Sequence, residues 1–214
     1  FAQMALEDPR DRKLSRKALR HAMRGAIEAS EIATGMLGYA RTTDQTPHCD
    51  IRQVIHAALR LTHATGSEQG AEVEVSVPDG AFVQMRPLAL QQVLVNLILN
   101  AKEAFQGSPG KIEISVDGST WNTSDRLNQS HWKLRVCDNG PGIPEEVQSK
   151  LFSPRYTQQS SHAGSTGLGL AICKALIKEA DGEIKVRSSA ENGTAFTITL
   201  PARQDETGSR QRAA

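Results

Sequence analysis

Apolar residues recur along this chain with two different periods. Between Leu90 and Phe105 they fall at Leu90, Val93, Leu94, Leu97, Ala101 and Ala104, the three-and-four step of one helical stripe. This predicts a helix over Pro87 to Phe105. A second stripe runs from Leu168 through Cys173, Leu176 and Ile177 to Ala180, where Asp181-Gly182 ends it, and a short helix is expected from Glu145 to Leu151. Before, between and after them lie six strand candidates, several alternating polar with apolar: Glu72 to Val77, Ala81 to Met85, Lys111 to Val116, Trp132 to Cys137, Glu183 to Ser188 and Ala195 to Leu200. The expected fold is α/β, a two-layer sandwich in which one face of a mixed sheet carries three helices. The polar stretch Asn122 to Ser130 reads as a loop between two strands.

The first fifty residues have a different character. Ala18, Ala22, Gly25, Ala29, Ile32, Met36 and Tyr39 step alternately by four and three along a helical pattern from Asp11 to Arg41. Such a seam of small residues admits a close partner helix, or packs on its own domain. It ends at the linker Thr42 to Pro47, and the tail after Pro201 is polar and expected to be disordered. Three segments follow: 1–46 helical, 47–202 the α/β domain, and 203–214 the tail.

Composition excludes more than it selects. The chain has 214 residues, enough for one or two domains, and its 38% apolar and 4% aromatic content suits a globular protein poor in aromatics. A net charge of +1 without a basic stripe argues against a nucleic-acid partner. No run of 18 apolar residues is present, so no membrane contact is expected within this fragment. Cys49, Cys137 and Cys173 lack metal-ligand spacing, as do His48, His56, His63, His131 and His162, and reduced thiols are expected.

Candidate chemistry lies in three places. Asp138-Asn139-Gly140-Pro141-Gly142-Ile143-Pro144 follows an apolar strand, so a fixed carboxylate stands before a turn whose glycines let the backbone pass close to a flat ring. Such a carboxylate can accept a hydrogen bond from an exocyclic amine, but Asp-Asn-Gly is also a tight-turn signal. On the predicted helix, Gln92, Asn96, Asn100 and Glu103 share one face. Asparagine is a middling helix former whose buried amide needs partners, so the face is either partly solvated or holds a ligand such as Mg²⁺, which accepts one protein oxygen beside waters and phosphates. Gly164-Ser165-Thr166-Gly167-Leu168-Gly169 opens the last helix, leaving first-turn N–H groups at the positive end of its dipole, where phosphates bind. It is neither a P-loop nor a Rossmann fingerprint.

In this order and spacing, the asparagine helix, the Asp-x-Gly-x-Gly turn and the glycine-rich helix start resemble the ATP-binding domain of the GHKL superfamily, and within it the sensor histidine kinases of two-component systems. The resemblance covers Asp50 to Ala202. Leu151-Phe152-Ser153-Pro154-Arg155-Tyr156-Thr157 is similar to the kinases' phenylalanine box, and Asn192-Gly193-Thr194-Ala195-Phe196 to their final Gly-Thr-x-Phe element. The resemblance implies a Bergerat-type ATP-binding fold with ATP and Mg²⁺ as cofactors. Asn100 would bind the metal with Asn96 beside it. Asp138 would take the adenine amine, with Gly140, Gly142 and Ile143 lining the turn, Gly167, Leu168 and Gly169 the phosphates, and Thr194 completing the adenine site.

The hydrolysing members of the superfamily carry a glutamate one turn before the metal-binding Asn. Here that position is Asn96, an amide that takes no proton, so phosphoryl transfer to a protein side chain fits better than hydrolysis. Glu103 stands one turn beyond Asn100, as an acid-base candidate or a solvated charge. Arg155 occupies the first position of the box's second aromatic pair and Gln159 that of the usual lysine. Arg155 either replaces a phosphate contact or is an exposed lid residue.

The N-terminal helix resembles the second helix of the kinases' dimerisation hairpin, with Phe1 to Glu7 ending the first. His21 lacks the acidic residue and proline that follow a kinase's acceptor, so the phosphoacceptor is expected upstream of Phe1. The resemblance implies a homodimer through the hairpin, a response regulator receiver domain as partner, and a cytoplasmic location, whether alone or as the cytoplasmic part of a larger sensor. Two other functions remain open: a degenerate ATP-binding signalling module, and a serine kinase acting on an anti-sigma-factor antagonist.

Overall fold

The computed structural model describes residues 48–64, 71–123, 126–153 and 169–203. The helical seam, His21, Arg155, Gln159, Gly167, Leu168 and the tail after residue 203 lie outside the described residues.

Among the described residues eleven elements follow in chain order: β1 (Cys49–Asp50), α1 (Ile51–Ala64), β2 (Ala71–Ser76), β3 (Phe82–Val83), α2 (Pro87–Ala104), β4 (Gly110–Thr123), β5 (Arg126–Asp138), α3 (Glu145–Gln148), α4 (Gly169–Glu179), β6 (Glu183–Ser189) and β7 (Gly193–Pro201). Five strands make one sheet in the order β2-β4-β5-β7-β6, and β1 pairs with β3 in a separate two-stranded ribbon. Only β2 against β4 is parallel; the other large-sheet pairs are antiparallel.

The alternation read from the sequence sets the two faces of the sheet. Ile112, Ile114, Val116, Leu134, Val136, Ile184, Phe196, Ile198 and Leu200 are buried toward the helices. Lys133, Arg135, Lys185 and Arg187 alternate with them and are exposed. The mixed two-layer sandwich is therefore as expected.

Helix α2 is the centre of the helical layer. Pro87 occupies its first turn, where a missing N–H is harmless, and Gln106 (φ 49°) and Gly107 (φ 86°) turn the chain left-handed beyond its end. Ala89, Leu90, Val93, Leu94, Val95, Leu97, Ile98 and Ala101 are all buried, wrapping most of its circumference. A helix apolar on so many sides is enclosed rather than amphipathic on a surface.

Four expectations need correction. Helix α1 was not among the three predicted helices, yet Ile51, Val54, Ile55 and Ala58 are buried in the core. Asp50 caps it, its Oδ1 accepting the Arg52 N–H at 2.8 Å. At the other end, Lys102 of α2 donates to the Thr62 carbonyl at 3.1 Å, and burial lowers the pKa of that lysine. The loop expected over Asn122 to Ser130 is, in its described residues, strand: β4 and β5 continue pairing through Trp121↔Gln129 to Thr123↔Arg126, with a shift of register between Trp121 and Thr123. Alternating neighbours across a long antiparallel ladder support polar strand residues that a single-strand pattern does not announce. Finally, the strand expected over Ala81 to Met85 shrinks to Phe82–Val83, and the helix over Glu145 to Leu151 to Glu145–Gln148.

The enclosure of α2 predicts a sharp contrast. Ile98→Ala, at a fully buried site, is expected to lose about 2–5 kcal/mol of unfolding free energy, whereas Leu88→Ala, 78% exposed on the same helix, should stay within about 0.5 kcal/mol. Urea unfolding of the two variants checks it.

Candidate functional site

The polar face of α2 changes character along its length. Gln92 and Asn96 are half-buried, whereas Asn100 and Glu103 are exposed. Asn96 Nδ2 donates to the Gly169 carbonyl at 3.4 Å and lies 3.6 Å from the Cys173 Sγ, tying α2 to the first turn of α4. Cys173 is itself fully buried and its Sγ lies 4.0 Å from the Val93 carbonyl. Gln92, one turn earlier, has a buried Nε2 without a hydrogen-bond partner among the described residues.

At the other end of α2 stands the glycine turn. A methyl placed on Gly140 would lie 3.3 Å from Ala104 Cβ, so the turn sits against the last residue of the helix. Asn96, Asn100 and Ala104 are spaced by four and form one row. Asn100 therefore stands on that row between the α4 start and the Asp138 turn, over a span of about 12 Å at the helical rise.

The turn is not a hairpin, because β5 leads into α3 and not into a neighbouring strand. Asn139 extends the β4 ladder: its N–H donates to Lys111 O at 3.2 Å and its Oδ1 accepts the Lys111 N–H at 2.7 Å. This frees the chain to bend away from the sheet. Gly142 has φ +75°, and any side chain there would run into the Ser189 carbonyl. Gly193, at φ +68°, passes equally close to the Asp138 carbonyl. Both contacts press the turn against the β6–β7 hairpin, and both require glycine.

Asp138 ends β5 on the helix-facing side and is 8% exposed. Burial pushes its carboxyl above the usual value, partly offset by hydrogen bonds from the backbone N–H groups of Gly140, at 2.9 Å, and of Thr194. Thr194 pairs with Asp138 across β5 and β7 and is also buried. A pinned, buried carboxylate beside a buried hydroxyl has the chemistry to accept from a hydrogen-bond donor.

Two residues of this site went unread in the sequence. Ser188 Oγ accepts the Ile143 N–H at 2.8 Å and lies 3.0 Å from Thr194 Oγ1. Gln148 Nε2 donates to Ile143 O at 2.8 Å and to Ser188 O at 2.9 Å, holding the turn from the α3 side. Ser188 fell within a predicted strand on its core-facing positions, and a hydroxyl at a core position was the available signal.

The structure thus brings Asn96, Asn100, Asp138, Gly140, Gly142, Ile143, Gly169 and Thr194 to one side of the sheet, around the row of α2 on which Asn100 is exposed. Glu103 sits on α2 next to Ala104, exposed. A hard cation fits the donor set through the amide oxygen of Asn100, which borders the row where phosphates would approach α4. No cluster of three His, Cys, Asp or Glu side chains suits a metal among the described residues. Nor is any described helix long and apolar enough to cross a membrane.

Residues 85–204 match the family model described as histidine kinase-, DNA gyrase B- and HSP90-like ATPase. The sensor protein EvgS of Escherichia coli O157:H7 is 39% identical over 127 residues, 58% of this chain and 10% of EvgS. The adaptive-response sensory kinase SasA of Prochlorococcus marinus (strain MIT 9313) is 30% identical over 161 residues, 72% of this chain and 40% of SasA. Among solved structures, the catalytic domain of histidine kinase ThkA superposes with a TM-score of 0.59 at 29% identity, covering 72% of this chain and 96% of that one. The chain thus spans a minor part of these two relatives and nearly all of an isolated catalytic domain.

The raised Asp138 carboxyl fixes the sign of a pH effect. Above 3.8 and up to its raised folded value, the native chain holds this proton more tightly than the unfolded chain does, so the stability tied to Asp138 falls as pH rises through that window. Urea unfolding of the parent and of Asp138→Asn across mildly acidic pH is expected to show the parent losing ground to the variant as pH increases. A parent curve that gains on the variant contradicts a raised carboxyl.

Proposed function

From the premise that this chain belongs to the histidine kinase-, DNA gyrase B- and HSP90-like ATPase family, as the ATP-binding catalytic domain of a sensor histidine kinase, we propose that it binds Mg-ATP along α2 and transfers the γ-phosphoryl group to a histidine. That histidine would lie on the dimerisation hairpin, and the phosphoryl group would pass on to a response regulator receiver domain. The proposed setting is a cytoplasmic homodimer joined through the dimerisation hairpin, of which residues 1–46 would be one part.

One observation carries the reading. Asn100 is exposed on the row that links the Asp138 turn, at Ala104, with the start of α4, at Asn96. An adenine held by Asp138 and Thr194 would send its phosphates along that row toward the helix N-terminus. Asn100 would hold Mg²⁺ through its amide oxygen, and the ion, when bound, neutralises charge on the phosphates. Gly167, Leu168 and Gly169 would donate backbone N–H groups to them, with Arg155 as a further cation. Phosphoryl transfer of this loose kind needs positioning and charge stabilisation more than covalent help from the protein.

Asn96 supports transfer over hydrolysis. Its amide cannot accept a proton from water, and its Nδ2 points to Gly169 and Cys173. Glu103 is proposed as the acid-base group facing the acceptor histidine. A second reading, an ATP-binding module without kinase activity, is favoured by Gln159 standing where the kinases carry a lysine.

Two measurements test this. Asn100→Ala is expected to abolish Mg²⁺-dependent ATP binding in calorimetric titration, while Asn100→Asp keeps part of it; unchanged affinity in the alanine variant removes Asn100 from the site. Incubated with γ-labelled ATP, the 214-residue chain should show little hydrolysis and no stable label, whereas a chain extended upstream through the first hairpin helix should acquire acid-labile, alkali-stable phosphate. Absence of label in both supports the binding module. Label on the shorter chain that His21→Ala removes would place the acceptor within it.

A further inference from the structure

Three side chains stand abreast on the helix-facing side of the sheet: Asp138 on β5 opposite Thr194 on β7, and Thr194 opposite Ser188 on β6. Ser188 Oγ has three polar neighbours: the Ile143 backbone N at 2.8 Å, the Gly193 carbonyl O at 2.9 Å and Thr194 Oγ1 at 3.0 Å. A serine hydroxyl has one proton and two acceptor lone pairs to meet them.

These three contacts admit one arrangement of protons. Ile143 N–H can only donate, so it takes one lone pair of Ser188. The Gly193 carbonyl can only accept, and two oxygens 2.9 Å apart with no proton between them repel, so the Ser188 proton lies toward Gly193. The contact between Ser188 and Thr194 also needs a proton, and Thr194 is left to supply it. Thr194 therefore donates to Ser188 and turns only lone pairs to its remaining surroundings.

Beside it, the ionised Asp138 is also an acceptor, already pinned by the N–H groups of Gly140 and Thr194. Neither side chain has a proton to offer a ligand. We infer that Ser188 is the positioning residue that sets base specificity: by holding the Thr194 hydroxyl proton it keeps the pocket floor acceptor-only, selecting a purine edge with an exocyclic amine and rejecting one with a carbonyl. A base edge with a carbonyl at that place would meet oxygen lone pairs, and burial leaves the mismatch uncompensated by water.

This rests on the reading of the site as a purine pocket, and the test separates the two. Inosine triphosphate differs from ATP by a carbonyl in place of the amine, with the associated ring proton. Affinities for both nucleotides would be measured by competition against a fluorescent nucleotide on the full 214-residue chain. In Ser188→Ala the Thr194 proton is released, and the preference for ATP over inosine triphosphate is expected to narrow about tenfold, the worth of one hydrogen bond reversed in sense. Ser188→Thr, which keeps a hydroxyl, should retain the parent preference. Thr194→Val, which has neither proton nor lone pair, should narrow it as well, and in that background Ser188→Ala should change it no further.

A Ser188→Ala variant that weakens both nucleotides by the same factor overturns the inference and leaves Ser188 a prop for the turn. So does a Thr194→Val variant with unchanged preference, which remains decisive should Ser188→Ala fail to fold. If the parent binds neither nucleotide, the purine-pocket reading falls, and this inference with it.

Discussion

The burial of α2 is the constraint on which the other parts of the site depend. Eight of its side chains, from Ala89 to Ala101, are buried, which fixes its rotation and height against the sheet, α1 and α4. Close-packed contacts of this kind tolerate little sliding, because each displaced methylene loses contacts or meets an overlap. With the helix locked, the open row Asn96, Asn100, Ala104 has no freedom either. Its first member reaches the start of α4 and its last touches the glycine turn. The middle one is thereby held where metal and phosphates would meet, although Asn100 itself is exposed and makes no part of the core.

Asp138 shows the opposite economy. Its carboxylate is buried at a cost to folding, signalled by a pKa pushed up by desolvation, and two backbone N–H groups only partly relieve it. A carboxylate left in that state has capacity for a further donor, and a ligand amine held there would offset what its burial costs the free domain. Stored instability of this kind is common at recognition sites. The neighbouring hydroxyls follow the same logic in a neutral form, since Ser188 and Thr194 satisfy one another and the turn while leaving acceptors over.

The turn itself is held by contacts from elements distant in sequence. Gly193 passes against Asp138, Gly142 against Ser189, and Gln148 joins Ile143 to Ser188. A loop that would otherwise pay heavily in entropy to hold one conformation is thus pre-set before ligand arrives. Asn139 contributes from the other side by continuing the β4 ladder for one more residue.

The sequence alone determined the elements whose signals are local. The period of α2, the glycines that demand positive φ after Asp138, the alternation of β6 and β7, and the family likeness carried by these motifs are properties of short windows, where each residue's preference depends on near neighbours. Tertiary structure decided the rest. Helix α1 is not part of that rest, since Asp50 as a cap and Ile51, Val54, Ile55 and Ala58 at helical spacing are themselves local signals. The extension of β4 and β5 through Trp121↔Gln129 to Thr123↔Arg126, by contrast, depends on the pairing of two strands and not on the composition of either. Which of the polar residues on α2 would be tied to α4 and which would face outward followed from the docking of a helix more than seventy residues away. The sense of the Thr194 hydroxyl depends on three strands meeting at one level. No single strand's sequence encodes where another's proton goes, because a hydroxyl rotates to whichever partner the assembled fold provides.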